Sequence, residues 1–243
     1  MGGKNQIQDI RPGSTFSNYA PQNENQKTAA SNLRALAQSF VDNKALFAGG
    51  AAALSPSFGH VAKPSPFPDG MIIFLHGTSG TGKSHLIEAV INQLKDDAPE
   101  ILPSIYFYRG KLHYPVLDGS DNMHLDYERK PIIVVDDLFA DKQSLQQADS
   151  SDYKTLSTFL TMVYEKKCLA VMSSNFSLAD ELLPFLQRHD RIGRITSRVQ
   201  ELVGGRGFSV DTSGPDYRVK LAEDMQRSQK RNQMNPFASL KSP

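Results

Sequence analysis

A glycine-rich turn carries the strongest chemical signal in this sequence. Residues 77–84 read Gly-Thr-Ser-Gly-Thr-Gly-Lys-Ser and fit the pattern G-x-x-x-x-G-K-[ST] at every fixed position. The glycines let backbone N–H groups turn inward, and a helix that follows presents its positive end to phosphate groups. A chance Gly/Ser loop is the alternative, and the apolar strand before the turn and the helix after it argue against that. We predict a phosphate loop for ATP, formed by Gly77, Thr78, Ser79, Gly80, Thr81, Gly82, Lys83 and Ser84.

Two roles within this loop follow from the chemistry of the side chains. Lys83 is expected to bridge the β- and γ-phosphates, and Ser84 is expected to hold Mg²⁺. A second metal-binding group follows a strand at residues 131–135. Asp136 and Asp137 end that strand, which places them at the carboxyl edge of a parallel sheet, beside the phosphate loop. We predict that Asp136 orients Mg²⁺ and that Asp137 polarises the attacking water, the alternative being an acidic pair that caps a turn.

A polar residue also follows the apolar strand at residues 169–173. Asn175 would reach the same edge of the sheet and hydrogen-bond the γ-phosphate or the water, with Ser174 as a weaker substitute. The alternative is that Asn175 marks the start of a helix at residues 178–185.

Arginines are concentrated downstream of these residues. Four of them lie within eleven residues, namely Arg188, Arg191, Arg194 and Arg198. Such a run is often a solvated helix face. Phosphoryl transfer offers a second interpretation, because an arginine that reaches the γ-phosphate often comes from a neighbouring subunit. Arg218, in the stretch Gly-Pro-Asp-Tyr-Arg, is a further candidate phosphate contact.

The elements that must position these residues alternate along the chain. Near-continuous apolar strands between helices predict an α/β fold, with a parallel sheet covered by helices on both faces. Strands are predicted at residues 71–76, 105–108, 131–135 and 169–173, with a further strand at 208–210 that closes the sheet. Helices are predicted at residues 27–47, 84–95, 153–167, 178–185 and 216–229.

Composition excludes several classes of protein. The chain has 27 basic and 26 acidic residues, so it is not a polycationic DNA coat, although a local basic patch remains compatible. The one cysteine, Cys168, forms no internal disulfide, which favours a reducing, cytoplasmic setting. No apolar run reaches the roughly 18–20 residues of a membrane span, so no membrane association is expected.

Three regions are predicted. Residues 1–26, rich in Asn, Gln, Gly and Pro, form an extended or loosely ordered N-terminal arm. Residues 27–214 form the ATPase core, which includes the helix at 27–47 and a Pro- and Gly-rich loop at 48–70. Residues 215–243 form a C-terminal helix and a polar tail.

These motifs in this order resemble an AAA+ ATPase. More narrowly, they resemble the clade of the replication initiator DnaA, the DnaC-type helicase loaders and the IstB-type transposition ATPases. The stretches that carry the resemblance are TFSNYAPQNENQKTAASNLRALAQSF, VVDDLFADK, ITSRV and PDYR. The resemblance covers roughly residues 15–220 and implies a P-loop NTPase three-layer sandwich with a mostly parallel five-stranded sheet.

The resemblance also implies roles for individual residues. Arg198 matches the finger that acts on a neighbouring subunit, with Arg194 as the alternative, and Arg218 matches the sensor II residue. In the family the segment before the core lies against the adenine, so Phe16, Tyr19 and Asn23 are candidates there. Only about 25 residues follow Arg218, so we expect no helix-turn-helix domain within this chain.

The leading hypothesis is an oligomeric ATPase that uses ATP and Mg²⁺ to act on a partner protein, a helicase or a transposase, and on single-stranded DNA. Six cations are candidate DNA contacts, namely Lys111, Arg129, Lys130, Lys142, Lys154 and Arg206. A P-loop kinase for a small molecule is the first alternative, in which the arginines at 188–198 form a lid over the acceptor. The second is an adaptor with little turnover, because Asp137 is shorter than the Glu that is more frequent in the loaders.

Overall fold

We describe the protein from a computed structural model. The structure describes residues 6–47, 67, 69–110, 131–139, 148, 150–190, 192–205, 207–219 and 227. Most of the predicted loop at 48–70 and most of the predicted C-terminal helix and tail therefore lie outside the described residues. Within the described part of the C-terminal region, residues 217–219 and 227 are helical.

A five-stranded parallel sheet forms the centre of the fold. Its strands are β1 (Met71–His76), β2 (Ile105–Arg109), β3 (Ile132–Asp136), β4 (Leu169–Ser174) and β5 (Phe208–Asp211). They pair in the order β2-β3-β4-β1-β5, and every pair is parallel. The strands β1 to β4 are buried along most of their length, because helices cover both faces. The predicted sheet, including its fifth strand, is confirmed.

The side chains of alternate strand residues pack into two separate hydrophobic cores, one on each face of the sheet. In β1, Ile73 and Leu75 pack with helices α1 (Glu24–Asp42) and α2 (Lys83–Asp97). On the opposite face, Ile72 and Phe74 pack with α3 (Ser150–Lys166), α4 (Leu183–His189) and α5 (Arg194–Gly204). This two-residue alternation builds the predicted three-layer α/β/α arrangement.

The first helix begins three residues before its predicted start at residue 27. Helix α1 begins at Glu24, inside the predicted arm, because the Asn23 side chain caps it by accepting a hydrogen bond from the Gln26 backbone N–H at 2.9 Å. The arm also packs on the domain. Ile10 is buried in the core beside α2, and Ile7 and Phe16 pack against the same cluster.

The parallel sheet brings the carboxyl ends of neighbouring strands to one edge. Arg109 of β2 lies opposite Asp136 of β3 in the strand register, and β4 beside them ends at Ser174. The phosphate loop connects β1 to α2 at the same edge. The polar residues that end these strands are therefore neighbours, although they are far apart in sequence.

Gly207 allows the chain to enter β5. A Cβ atom at this position would overlap the backbone oxygens of Ile72 and Leu202, which belong to packed elements and cannot move away. We predict that Gly207→Ala lowers the free energy of unfolding by about 2 kcal/mol or more. Gly204→Ala is the control, since a Cβ there has no described atom within 4 Å. Urea unfolding of both variants measures the difference, and equal stabilities would contradict this packing.

Candidate nucleotide-binding site

A cavity of about 420 Å³ opens over the phosphate loop. Its lining combines the loop with the ends of β3 and β4, the N-terminal arm and the segment that follows β5. The predicted site residues that line it are Ser79, Gly80, Thr81, Gly82, Lys83, Ser84, Asp137, Asn175 and Arg218. Arg11, Asn18, Tyr19, Ala20, Gln22, Gln26, His85, Pro215 and Tyr217 complete the lining. The cavity therefore brings together most of the residues that the sequence motifs predict.

The phosphate loop depends on glycine at three positions. Gly77, Gly80 and Gly82 have φ angles of 139°, 78° and 91°, in a region that L-residues with side chains rarely adopt. Gly82 ends the loop, and α2 begins at Lys83, so the positive end of the helix faces the cavity. A Cβ at Gly77 would also lie 2.6 Å from the Ser213 backbone nitrogen. The turn is thus both conformationally and sterically restricted to glycine.

Lys83 is a buried cation, with 6% of its surface exposed. Its ammonium donates to the backbone oxygens of Gly77 and Thr78, at 2.7 and 2.9 Å, and to Asn175 Oδ1 at 2.9 Å. Burial lowers the pKa of Lys83 to about 8, against the opposing effect of the Asp137 and Asp136 carboxylates. Gly77 and Thr78 do not line the cavity, but their carbonyl groups hold this cation at its floor.

The Asp136 carboxylate is fully buried at the end of β3. Its Oδ1 accepts hydrogen bonds from Ser84 Oγ at 3.0 Å and from Ser173 Oγ at 2.6 Å. Its Oδ2 accepts from Arg109 Nε at 3.0 Å. The hydroxyl of Ser84 and the carboxylate of Asp136 are oxygen ligands of the kind that Mg²⁺ takes, and they lie side by side, so the residues present fit this ion.

Asp137 adopts a left-handed backbone conformation, with φ of 66°, immediately after β3. Its backbone N–H donates to Ser173 Oγ at 2.8 Å, which stabilises this turn, and its side chain lines the cavity. Burial and, to a lesser extent, the neighbouring Asp136 carboxylate raise the pKa of Asp137. A carboxylate with a raised pKa is a stronger base, which suits the predicted role of polarising water.

Asn175 lies just after β4, where its side chain accepts the hydrogen bond from Lys83. The alternative role as a helix start is wrong. Ser177 occupies the N-cap instead, and its Oγ accepts from the Asp180 backbone N–H at 3.2 Å. The predicted helix at 178–185 is a π-helical segment, Leu178–Leu182, that continues into α4.

Arg218 reaches the phosphate loop from the segment after β5. Its guanidinium donates to Ser79 Oγ at 2.9 Å and to both carboxylate oxygens of Asp216. A Cβ added at Gly80 would overlap the Asp216 carboxylate, and Tyr217 N donates to Gly80 O at 3.1 Å. The segment that carries Arg218 therefore packs directly on the loop, which places this arginine at the cavity as predicted.

The two candidate fingers do not line the cavity of their own chain. Arg198 lies on α5, where it donates to Thr161 Oγ1 at 3.3 Å, covers the Tyr164 ring and approaches Glu165 at 3.8 Å. Its side chain is 20% exposed. Arg194, at the start of the same helix, is exposed. This position outside the cavity of the same chain is compatible with the predicted role in a neighbouring subunit.

The arm contributes one of its three candidate residues to the cavity. Tyr19 lines it, donates from its hydroxyl to Thr81 O at 3.1 Å and lies 5.6 Å from the His85 ring. Phe16 packs against the core under the Arg34 guanidinium, and Asn23 caps α1 while donating to Ser213 O at 2.6 Å. Neither of these two lines the cavity.

Sequence reasoning missed a charged cluster beside the predicted metal site. Arg109 contacts both Asp136 and Glu88, and Glu88 is also held by Arg11 and Ser14 of the arm. Two signals were available in the sequence. Arg109 directly follows a predicted strand, as Asp136 does, and Glu88 interrupts the apolar face of α2 four residues after Ser84.

A protein-family model matches the part of the chain that contains the phosphate loop and the ends of β3 and β4. Residues 73–177, less than half of the chain, match the family model described as RNA helicase. The chromosomal replication initiator protein DnaA of Latilactobacillus sakei subsp. sakei (strain 23K) is 28% identical over 156 residues. That alignment covers 62% of this chain and 31% of DnaA. The DnaA of Lacticaseibacillus casei (strain BL23) is 27% identical, and its alignment covers 62% of this chain and 30% of that DnaA. The chain thus spans about a third of these curated relatives.

Solved structures confirm the predicted fold. The DnaC helicase loader has a TM-score of 0.50 at 18% identity, with 86% of this chain and 99% of the loader covered. The structure of DnaI has a TM-score of 0.50 at 18% identity, with 88% of this chain and 93% of DnaI covered. Domain III of the Thermotoga maritima replication initiation protein DnaA has a TM-score of 0.53 at 16% identity, with 91% of this chain and 76% of that chain covered.

No helix among the described residues is long and apolar enough to cross a membrane.

The lowered pKa of Lys83 predicts that nucleotide binding takes up a proton. Near pH 8 a fraction of the amine is neutral, and nearby phosphates favour its charged form. Calorimetric titration with Mg-ATP at pH 8, in two buffers of different ionisation enthalpy, measures this uptake. We expect less uptake at pH 7, where the amine is already charged. Equal binding enthalpies in the two buffers at pH 8 would contradict the prediction.

Proposed function

We propose that this chain, an AAA+ protein of the DnaA and DnaC type, binds and hydrolyses ATP with Mg²⁺ and acts as an oligomer on a partner protein and single-stranded DNA. One observation carries the ATPase part of the proposal. Lys83, Asp137, Asn175 and Arg218, which come from four separate segments, line a single cavity over the phosphate loop. A cation, a base, an amide and a second cation around one site are groups of the kind that recur where phosphoanhydrides are hydrolysed.

Each side chain has a part in the proposed reaction. Lys83 binds the β- and γ-phosphates, and Arg218, which also lines the cavity, stabilises charge on the phosphates. Asp137 accepts a proton from the attacking water, and Asn175 orients that water or the γ-phosphate. Ser84 and Asp136 hold Mg²⁺, which when bound neutralises negative charge on the phosphate oxygens.

Hydrolysis by water fits this site better than transfer to a small-molecule acceptor. The kinase alternative requires the arginines of residues 188–198 to cover the cavity of the same chain. Arg198 instead packs on α3, with its guanidinium over Tyr164 and beside Thr161, and Arg188 covers the Phe185 ring. The proposal therefore keeps water as the acceptor.

The proposal also includes assembly into an oligomer, binding of a partner protein and binding of single-stranded DNA. The likeness to a helicase loader and to DnaA supports them, and the two candidate finger arginines on α5 lie outside the cavity of their own chain. Of the six candidate DNA contacts, Lys154 is described and is exposed near the start of α3. Lys111, Arg129, Lys130, Lys142 and Arg206 lie outside the described residues, as does Arg191 of the arginine run.

Binding and hydrolysis can be separated by two substitutions. Lys83→Ala removes the buried cation, so ATP binding is expected to weaken by about 100-fold or more. Asp137→Asn keeps the shape of the side chain and removes the base, so we expect bound ATP but a hydrolysis rate lower by about 100-fold or more. Fluorescent ATP binding and phosphate release, with and without single-stranded DNA, measure the two effects. Lys95→Ala, at the far end of α2, is the control.

Mixing experiments test whether a neighbour completes the site. Arg198→Ala protein and Asp137→Asn protein are each expected to be inactive while still binding ATP. In an equal mixture, an intact site beside an intact finger occurs at about a quarter of the interfaces, so about a quarter of the wild-type rate should return. The same mixture with Arg194→Ala tests the alternative finger, because Arg198 is held by its own chain whereas Arg194 is exposed. Wild-type hydrolysis by Arg198→Ala alone would exclude Arg198.

A further inference from the structure

Arg109 bridges two fully buried carboxylates beside the predicted metal site. Its Nε donates to Asp136 Oδ2 at 3.0 Å, and its Nη2 donates to Glu88 Oε1 at 2.7 Å. Both carboxylate side chains are 0% exposed, whereas the arginine is 38% exposed. Taking two carboxylates out of water is costly unless a cation is shared between them. The guanidinium meets this need because its N–H groups point in fixed, divergent directions.

The fold sets the position of this arginine. Arg109 is the last residue of β2 and lies opposite Asp136 in the strand register. The next residue, Gly110, donates its N–H to Asp136 O at 2.8 Å, so the backbones of the two strand ends are joined as well. The guanidinium also lies over the Phe107 ring, 5.4 Å from its centre. These contacts restrict the rotamer of Arg109 toward Asp136.

Glu88 is in turn held from the other side. Its second oxygen, Oε2, accepts from Ser14 Oγ at 2.6 Å and from Arg11 Nε at 2.8 Å. Burial alone would raise the pKa of Glu88, but the hydrogen bonds from Ser14, Arg11 and Arg109 lower it overall. The carboxylate therefore stays charged and can anchor Arg109.

We propose that Arg109, anchored by Glu88, is a positioning residue that orients the Asp136 carboxylate for Mg²⁺. This inference rests on the proposed function. Ser84 and Ser173 contact only Oδ1 of Asp136, so the contact from Arg109 to Oδ2 determines how the carboxylate plane is turned. Groups that hold a metal ligand in this way affect metal affinity without touching the metal. Arg109 is thus expected to act on Mg²⁺ and not on the nucleotide itself.

A titration with Mg²⁺ tests the proposal. The full chain is mixed with a fluorescent ATP analogue in EDTA, and the Mg²⁺ concentration that half-saturates the tightening of binding is then measured. In Arg109→Lys a single ammonium keeps the charge but cannot contact both carboxylates in the fork geometry. We expect the half-saturating Mg²⁺ concentration to rise by about tenfold. Binding of the analogue in EDTA should be unchanged.

Arg34→Lys is the matched control. Arg34 also lies over a phenylalanine ring, Phe16, at 5.4 Å, but it is on the exposed side of α1. Its Mg²⁺ titration should match that of the wild-type protein. An Arg109→Lys titration that also matches the wild type would overturn the proposal.

A second variant covers the case in which Arg109→Lys does not fold. Glu88→Gln keeps the shape of the anchor and removes its charge, so a smaller rise in the half-saturating Mg²⁺ concentration is expected, and an unchanged value would overturn the proposal. Failure of the proposed function has a different signature. In that case the wild-type protein itself would show no tightening with Mg²⁺, whereas failure of this inference alone leaves the wild-type response intact.

Discussion

The Asp136 carboxylate is the charge around which the site is organised. It lies at the end of a central strand with no exposed surface, so its two oxygens must be satisfied within the protein. The donors come from the start of α2, the end of β4 and the end of β2, through Ser84, Ser173 and Arg109. Three neighbouring elements of the fold thus meet at one buried anion.

The same constraint extends to the N-terminal arm. Arg109 must also serve Glu88, and Glu88 in turn needs Arg11 and Ser14. Gln6 joins the edge of the sheet as well, since its backbone N–H donates to Phe107 O at 2.9 Å and its side chain accepts from the Arg109 N–H at 2.8 Å. The arm is therefore bound to the core by polar contacts that lead directly to the proposed metal site. These contacts explain why a segment rich in polar residues is nonetheless packed on the core.

The features of the fold that depend on hydrophobic periodicity and on strand register can be predicted from the sequence. The five strands, their parallel pairing and the phosphate loop follow from apolar runs and one glycine pattern, because the local sequence determines each of them. The rule that parallel strands share a carboxyl edge also brings Asp137 and Asn175 to the cavity. Contacts between side chains that are far apart in the sequence cannot be predicted in this way. No local pattern shows that Glu88 on α2 meets Ser14 of the arm, because this contact depends on tertiary packing. The start of α1 is different, since Asn23 is a residue type preferred at helix N-caps and bonds Gln26 only three residues later, so the local sequence did carry this signal.

The two cations of the cavity, Lys83 and Arg218, already have partners within the chain. All three protons of the Lys83 ammonium go to Gly77 O, Thr78 O and Asn175 Oδ1, and Arg218 contacts Ser79 and Asp216. A phosphate must therefore replace existing hydrogen bonds, and the net gain from each exchange is smaller than that of a new bond. The exchange also has a structural consequence. One of these bonds joins Lys83 to Asn175, so a phosphate that takes this Lys83 proton also breaks a contact to the residue that follows β4. From Asn175 the chain continues through Ser177 into the helical segment before α4.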